Sequence, residues 1–276
     1  MSLKQKASVI ISTYNQPQWL QKVLWSYECQ TETHFEIIIA DDGSASPTQD
    51  VIEAFKQRSK LNVVHVWQED HGFQKTKILN RAILKATSDY LIFTDGDCIV
   101  RNDFVAAHLN MRKQNCALSG GYFKLPESVS KIITENDIQQ QNCFNSNWLL
   151  QHGLKKTFKL NKLTAKGNKA WFLNTFTPTK ATFDGMNASC WKEDVMAVNG
   201  FDERMQYGGE DREMGERLMN KGVKFLQARY SLVCVHLYHD RPYKNEEALR
   251  INNTIRKHTK KNKSICTNFG ILKNKV

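Results

Sequence analysis

The sequence has little of what would mark many familiar protein classes. Proline occurs 5 times and glycine 14 times in 276 residues, and 24% of residues are charged, so wholesale disorder is excluded. There is no Cys-x-x-Cys pair among the seven cysteines, at 29, 98, 116, 143, 190, 234 and 266. That scatter suits reduced thiols rather than a disulfide framework or a zinc site. The opening MSLKQKASVIIS lacks an apolar stretch of signal-peptide length, and later apolar runs are strand-length, far short of a membrane span. A cytoplasmic protein is the expectation. No Walker loop, Gly-x-Gly-x-x-Gly turn or Gly-x-Ser-x-Gly elbow exists. Neither an internal repeat nor a low-complexity linker is visible.

What is present is a basic, core-forming chain. Its hydrophobic fraction of 41% is enough for one large domain or two fused halves. The formal charge is +11, and residues 241–276 carry ten Lys or Arg against two Glu, leaving only +3 for the first 240. This basic C-terminal tail reads either as a solvated, partly disordered segment or as a peripheral contact with an anionic membrane or an acidic substrate. Nucleic acid is not expected, because the tail's basic residues are not interleaved with stacking aromatics.

Strand and helix signals alternate through the first third. Ala7–Ser12, Phe35–Ala40, Asn62–Trp67 and Tyr90–Thr94 read as strands. Helical spacing is predicted around Trp19–Leu24, over Gln49–Arg58 and over Lys75–Ala86. Continuously apolar strands joined by helices predict an α/β fold with a mainly parallel sheet covered on both faces. Its ligand belongs beyond the carboxyl ends of the strands, where Asp41-Asp42 and Asp95-Gly96-Asp97 fall. Residues 120–181 form an irregular or helical insertion, basic and loop-like from Lys155 to Lys169. Order returns from Thr182, with helices predicted at Glu193–Val198 and Asp211–Lys221.

Four clusters could carry chemistry. Asp95 and Asp97 are hard oxygen ligands for Mg²⁺ or Mn²⁺ beside a diphosphate, or a polar turn. Asp41-Asp-Gly-Ser44 is a turn, or places Asp42 on a nucleobase N–H. Gly208-Gly209-Glu210-Asp211 is a helix cap, or a carboxylate base beside glycines that let the backbone approach a ligand, with Tyr207 stacking on an acceptor sugar. Simple alternation along the strand at 232–235 sends His236 and His239 to opposite faces, so only one is expected at a site.

In order, Ser8-Val-Ile-Ile-Ser-Thr-Tyr-Asn15, Ile38-Ile-Ala-Asp-Asp-Gly-Ser44, Gly72–Asn80 and Leu91-Ile-Phe-Thr-Asp-Gly-Asp-Cys98 resemble the family 2 glycosyltransferases of the GT-A fold. Gly185–Trp191, Val198–Asp202 and Tyr207–Glu213 resemble the C-terminal region of β-1,4-galactosyltransferases and chondroitin-polymerase-type enzymes. The resemblance implies a GT-A domain over 1–240, with a nucleotide-sugar-binding half (1–119), the 120–181 insertion as a lid, and an acceptor and catalytic half (182–240). It implies inverting transfer of a hexose or N-acetylhexosamine from a UDP-sugar to a glycan or lipid-linked glycan hydroxyl, with Mn²⁺ or Mg²⁺. Bacterial lipopolysaccharide or capsule synthesis at the inner face of the cytoplasmic membrane is the expected setting.

By position, Ser12, Tyr14 and Asp42 would meet the uridine, and Lys75 and Lys77 would lie near the diphosphate. Asp95 would serve the ribose and Asp97 the metal. His239 matches the galactosyltransferase metal histidine, and His236 stands where those enzymes have Met, reaching the ion only through a strand bulge. Asp211 would be the base, Glu210 would hold sugar hydroxyls, and Tyr207 and Gly209 would face the acceptor. Galactosyltransferases have Trp at the place of Tyr207. The alternatives are a glycan-binding protein without turnover and a metal-dependent nucleotidyltransferase.

Overall fold

The computed structural model describes residues 6–240 and 245–273. The first half alternates β1 (Ala7–Thr13), α1 (Pro17–Glu28), β2 (Phe35–Asp41), α2 (Ser46–Arg58), β3 (Asn62–Trp67), α3 (Lys75–Lys85) and β4 (Tyr90–Asp95). There follow β5 (Cys98–Val100), α4 (Phe104–Met111), β6 (Cys116–Ser119) and β7 (Gly121–Lys124). The insertion holds α5 (Glu127–Ile132), α6 (Glu135–Gln139), α7 (Ser146–Gln151), α8 (Asn161–Thr164) and α9 (Gly167–Phe176). Then come β8 (Asn187–Trp191), α10 (Lys192–Ala197), α11 (Glu210–Lys221), β9 (Lys224–Gln227), β10 (Val233–His236) and α12 (Glu246–Lys261).

The main sheet runs β3-β2-β1-β4-β8-β6-β9, with β8 antiparallel to both its neighbours. Every residue of β1 and β2 is buried. Alternation sorts them: Val9, Ile11, Ile37, Ile39 and Ile92 join one core, while Ile10, Ile38, Leu91 and Phe93 join the other. A strand covered on both faces has no polar side, which is why these segments read as unbroken apolar runs. Each buried Ile contributes roughly 1.5–3 kcal/mol of transfer free energy, so the sheet centre anchors the fold. Parallel register sets Ser12 beside Asp95 and Thr13 beside Asp41, aligning the carboxyl ends of β1, β2 and β4.

A second sheet, β5-β10-β7, closes one side. Its antiparallel pairing sets His236 opposite Cys98, so the end of β10 meets the turn that carries Asp97. Cys98 is a buried core residue, and all seven cysteines are free thiols.

Two sequence expectations are corrected. The stretch 155–169 is not loop-like: it contains a 3₁₀ turn at Phe158–Leu160, α8 and the start of α9. Residues 245–273 are not a solvated tail. Asn245 caps α12 by accepting from the backbone of Glu247 and Ala248. The helix docks on α11, where Thr259 Oγ1 donates to Glu213 at 2.7 Å. Glu213 itself forms a buried ion pair with Arg217 at 2.8 Å. The remaining parts of the tail, 241–244 and 274–276, lie outside the described residues, as do residues 1–5 of the first half.

Candidate active site and metal centre

A cavity of about 760 Å³ opens over the carboxyl ends of β1, β2 and β4, a volume suited to a nucleotide-sized ligand. Ser12, Tyr14, Asp42, Lys75, Asp95 and Asp97 line it. Tyr207, Gly209, Glu210, Asp211, His236 and His239 line it as well. Twelve of the thirteen residues singled out from the sequence therefore meet in one place. The exception is Lys77, which is absent from the lining and reaches the Gln74 side chain instead. Two residues on a helix turn by roughly 200°, so Lys75 and Lys77 cannot face one cavity.

On the nucleotide side, Ser12 Oγ donates to Asp95 Oδ1 at 2.5 Å and Lys75 Nζ donates to the same oxygen at 2.7 Å. Burial alone would discharge Lys75, but Asp95 and Glu210 outweigh it and hold the ammonium firmly protonated. Asp42 accepts from Gln68 Nε2 at 2.6 Å and from the Gln74 amide at 2.8 Å, and burial pushes its carboxyl up to about 6. Each oxygen keeps a lone pair for an incoming N–H. Asp41 makes the turn beside it, accepting from the Ser44 amide at 2.8 Å. The turn reading of Asp41-Asp-Gly-Ser44 thus holds for Asp41. Tyr14 donates to Asp70 at 2.8 Å and is 44% exposed, so its ring is available to a base.

Asp97, His236 and His239 form a metal-type cluster whose ligand atoms all lie within 4.8 Å of one another. His236 Nδ1 lies 2.7 Å from the Leu237 carbonyl and His239 Nδ1 lies 2.8 Å from the Asp240 carbonyl. A carbonyl can only accept, so each Nδ1 carries its proton and each Nε2 turns toward Asp97, at 3.8 Å and 3.0 Å. Outward Nδ1–H bonds of this kind fix the tautomer of metal-binding imidazoles. Burial would raise Asp97, yet the His239 hydrogen bond and the charges of both histidines hold it at about 2. The donor set of one carboxylate and two imidazoles fits a divalent transition ion better than Mg²⁺, which favours all-oxygen shells. The expectation that only one histidine reaches the site is corrected. β10 ends at His236, so alternation stops there, and the loop beyond brings His239 back without a bulge.

At the start of α11, Gly208 and Gly209 have φ of +108° and +90°, and Gly209 caps the helix. A side chain at Gly208 would strike Leu249, and one at Gly209 would crowd Arg256, both on α12. The turn delivers Glu210 and Asp211 to the helix start, where exposed amides favour acids. Asp211 accepts from the Gly185 amide at 3.0 Å and the Arg212 amide at 2.7 Å. Burial, with Asp211 adding to it, pushes Glu210 up to about 7. Tyr207 packs edge-on to Phe73 at 5.9 Å.

The raised Glu210 has a consequence for stability. Between its ordinary pKa near 4.5 and about 7, the unfolded chain releases a proton that the folded chain keeps, so stability falls as pH rises through that window. Glu210→Gln is therefore expected to be more stable than wild type at pH 8, by on the order of 1–3 kcal/mol, and to match it near pH 4. Thermal melts at the two pH values check this; an equal difference at both would detach Glu210 from the effect.

Two features were missed in the sequence. Asp184 lines the cavity, and burial followed by the charges of Asp211 and Asp95 pushes it up to about 6. Its only sequence signal was adjacency to Gly185. The second is α12, which supplies Leu249, Asn253 and Arg256 to the wall. Buried Asn252 donates from Nδ2 to the carbonyls of Gln206, Tyr207 and Gly208 at 2.9, 3.3 and 3.0 Å. It holds the turn that presents Glu210 and Asp211. Asn252→Ala should lower kcat between ~10- and ~100-fold while leaving nucleotide affinity unchanged, because a slight misplacement of a reacting group has that cost. Steady-state kinetics with nucleotide-binding calorimetry would tell the two apart; a lost nucleotide affinity would point to wider collapse.

With this geometry in place, the profile of "Glycosyl transferase family 2" matches residues 8–170. The chain belongs to that family. A second profile, "N-terminal domain of galactosyltransferase", matches residues 175–240, the stretch holding Asp184, Glu210, Asp211 and both histidines. Among relatives of this family 2 glycosyltransferase, the uncharacterized glycosyltransferase YfnE of Bacillus subtilis is 28% identical over 277 residues, covering 90% of this chain and 68% of that protein. The chondroitin synthase of Pasteurella multocida is 28% identical over 235 residues, covering 79% of this chain but only 23% of the synthase. The crystal structure of GalNAc-T7 with UDP, GalNAc and Mn²⁺ superposes with a TM-score of 0.63 at 15% identity, covering 93% of this chain and 48% of that one. The fold is GT-A, and the chain is an enzyme of the glycosyltransferase class. A nucleotidyltransferase and a sugar-binding protein without turnover are thereby set aside.

Proposed function

We propose that this glycosyltransferase moves a hexose or N-acetylhexosamine from a UDP-sugar to a glycan hydroxyl, in one inverting displacement that depends on Mn²⁺. The observation that carries this reading is that the Asp97–His236–His239 cluster and the acids Asp211 and Glu210 line one cavity. Asp97, His236 and His239 would hold the ion. When bound, it neutralises the charge that develops on a departing diphosphate. GalNAc-T7, with UDP, GalNAc and Mn²⁺ in its crystal, supports that donor class.

The chain's own groups supply the rest. Tyr14 and Asp42 take the base, with Ser12 and Asp95 at the ribose. Lys75, kept charged beside Asp95, adds a fixed positive group on the diphosphate side. Glu210 and Asp184, with raised pKa values, can each share a proton with a sugar hydroxyl. Asp211 takes the proton of the attacking hydroxyl as its oxygen bonds to the anomeric carbon and the bond to the nucleotide breaks. Tyr207 gives the acceptor ring a flat surface to stack on.

The test is UDP release from a panel of UDP-sugars with Mn²⁺, Mg²⁺ or EDTA, with and without oligosaccharide acceptors. One donor should turn over, faster with Mn²⁺ than with Mg²⁺, and EDTA should stop it. Turnover untouched by EDTA would overturn the metal reading, and turnover only with GDP-sugars would overturn the donor. We further place the enzyme in lipopolysaccharide or capsule assembly at the inner face of the cytoplasmic membrane, with a lipid-linked acceptor.

A further inference from the structure

The insertion carries a surface with no part in the chemistry above. From residue 138 to 183 there are seven lysines and no Asp or Glu. Lys155, Lys156, Lys159, Lys166, Lys169 and Lys180 are all exposed. Among them stand four large aromatics turned to solvent: Phe158 at 75% exposure, Trp171 at 66%, Phe172 at 54% and Phe176 at 66%. Phe172 and Phe176 lie one turn apart on α9 with ring centroids at 4.6 Å. Scattered single apolar residues on a surface are ordinary; a concentration of aromatics within one short basic segment is not.

We propose that the exposed basic and aromatic segment from Lys155 through α9 docks the enzyme on an anionic lipid bilayer. Charge complementarity selects the partner, since a segment with seven lysines and no acid of its own favours a negative surface. The aromatics decide between anions: indole and phenyl rings settle at the boundary of headgroups and acyl chains, where Lys side chains reach up to phosphates. A soluble polyanion gives those rings nothing apolar to enter. Among the described residues no helix is long and apolar enough to cross a membrane, so this contact lies in the interface.

The face is tied to the active site. Lys162 Nζ donates to the Tyr122 carbonyl at 3.0 Å, and Tyr122 lines the cavity. Asn174 on α9 donates to Ser231 Oγ at 2.9 Å and accepts from the Tyr230 amide, just before β10 and its metal histidine. A bilayer held by α9 is thus held at a fixed offset from the cavity. That the acceptor arrives on a lipid carrier rests on the transfer reading above; the docking does not.

The experiment is co-sedimentation of the full chain with phosphatidylcholine vesicles, with and without phosphatidylglycerol. Wild type should bind the anionic vesicles and not the neutral ones. Lys155→Gln with Lys156→Gln and Lys159→Gln should weaken binding roughly fivefold per lysine. Trp171→Ser with Phe172→Ser and Phe176→Ser should weaken it at least ~10-fold. Lys257→Gln with Lys261→Gln and Lys263→Gln, on and just after α12, should change it less than either. Both insertion variants should keep UDP release with a soluble acceptor, which separates failed docking from failed catalysis. Three outcomes would overturn the proposal: no preference for anionic vesicles; loss only in the α12 variant; or loss with the lysine variant alone while the aromatic variant binds vesicles and dextran sulfate as wild type does.

Discussion

Asp211→Asn should fold, bind UDP as wild type does, and lose transfer by ~10²–10⁴-fold, the usual worth of a positioned general base. Asn keeps the shape and, through its amide oxygen, can still accept from the Gly185 amide that Asp211 meets at 3.0 Å. The helix start is kept too, because Glu210 and Glu213 remain in the first turn of α11. What disappears is the ability to take a proton from the attacking hydroxyl. Single-turnover transfer with a soluble acceptor, set beside UDP calorimetry, makes the measurement. Unchanged turnover would move the base elsewhere, and Glu210 or Asp184 would be the next to test.

The second large effect concerns Asp97→Ala. The cluster contains one carboxylate and two imidazoles, so this change removes its only anionic ligand. A metal that stabilises a leaving diphosphate is worth several kcal/mol, and each 1.36 kcal/mol is tenfold in rate. Transfer should therefore fall by ~10²–10⁴-fold, and Mn²⁺ titration calorimetry should show the binding gone. His239→Ala should resemble it more than His236→Ala, because His239 Nε2 sits nearer the carboxylate, 3.0 Å against 3.8 Å. Mn²⁺ binding that survives Asp97→Ala would place the ion at other groups, Asp95 and Asp184 among them.

The parts that could be read from the sequence share a physical reason. β1, β2 and β4 are buried on both faces, so their apolar runs are uninterrupted, and the polar residues that follow stand out at strand ends. Ser12, Asp42, Asp95 and Asp97 are legible for that reason. The histidines are harder, because whether both reach Asp97 depends on where β10 stops. Lys77 follows Lys75 closely in sequence but points roughly 200° round α3, so nearness along the chain does not bring it to the cavity. α12 was illegible for a different reason. Its buried positions are Ala248, Asn252 and Thr259, which form no apolar stripe. Much of its hold on the domain is by hydrogen bonds from Asn252 and Thr259, and the ten Lys or Arg of residues 241–276 mask the thin apolar contribution of Leu249 and Ile255.

That mode of attachment sets a schedule. The turn at 206–209 reaches Asn252 only after the ribosome has added the residues between them, and then released them. At ~5–20 residues per second, about 2–8 s separate synthesis of Asp211 from synthesis of Asn252. Both histidines are added within that interval, and until it closes the turn beneath Glu210 is unbraced. The helix made after the turn thus acts as its latch: Glu210 and Asp211 are synthesised first and braced only once Asn252 follows.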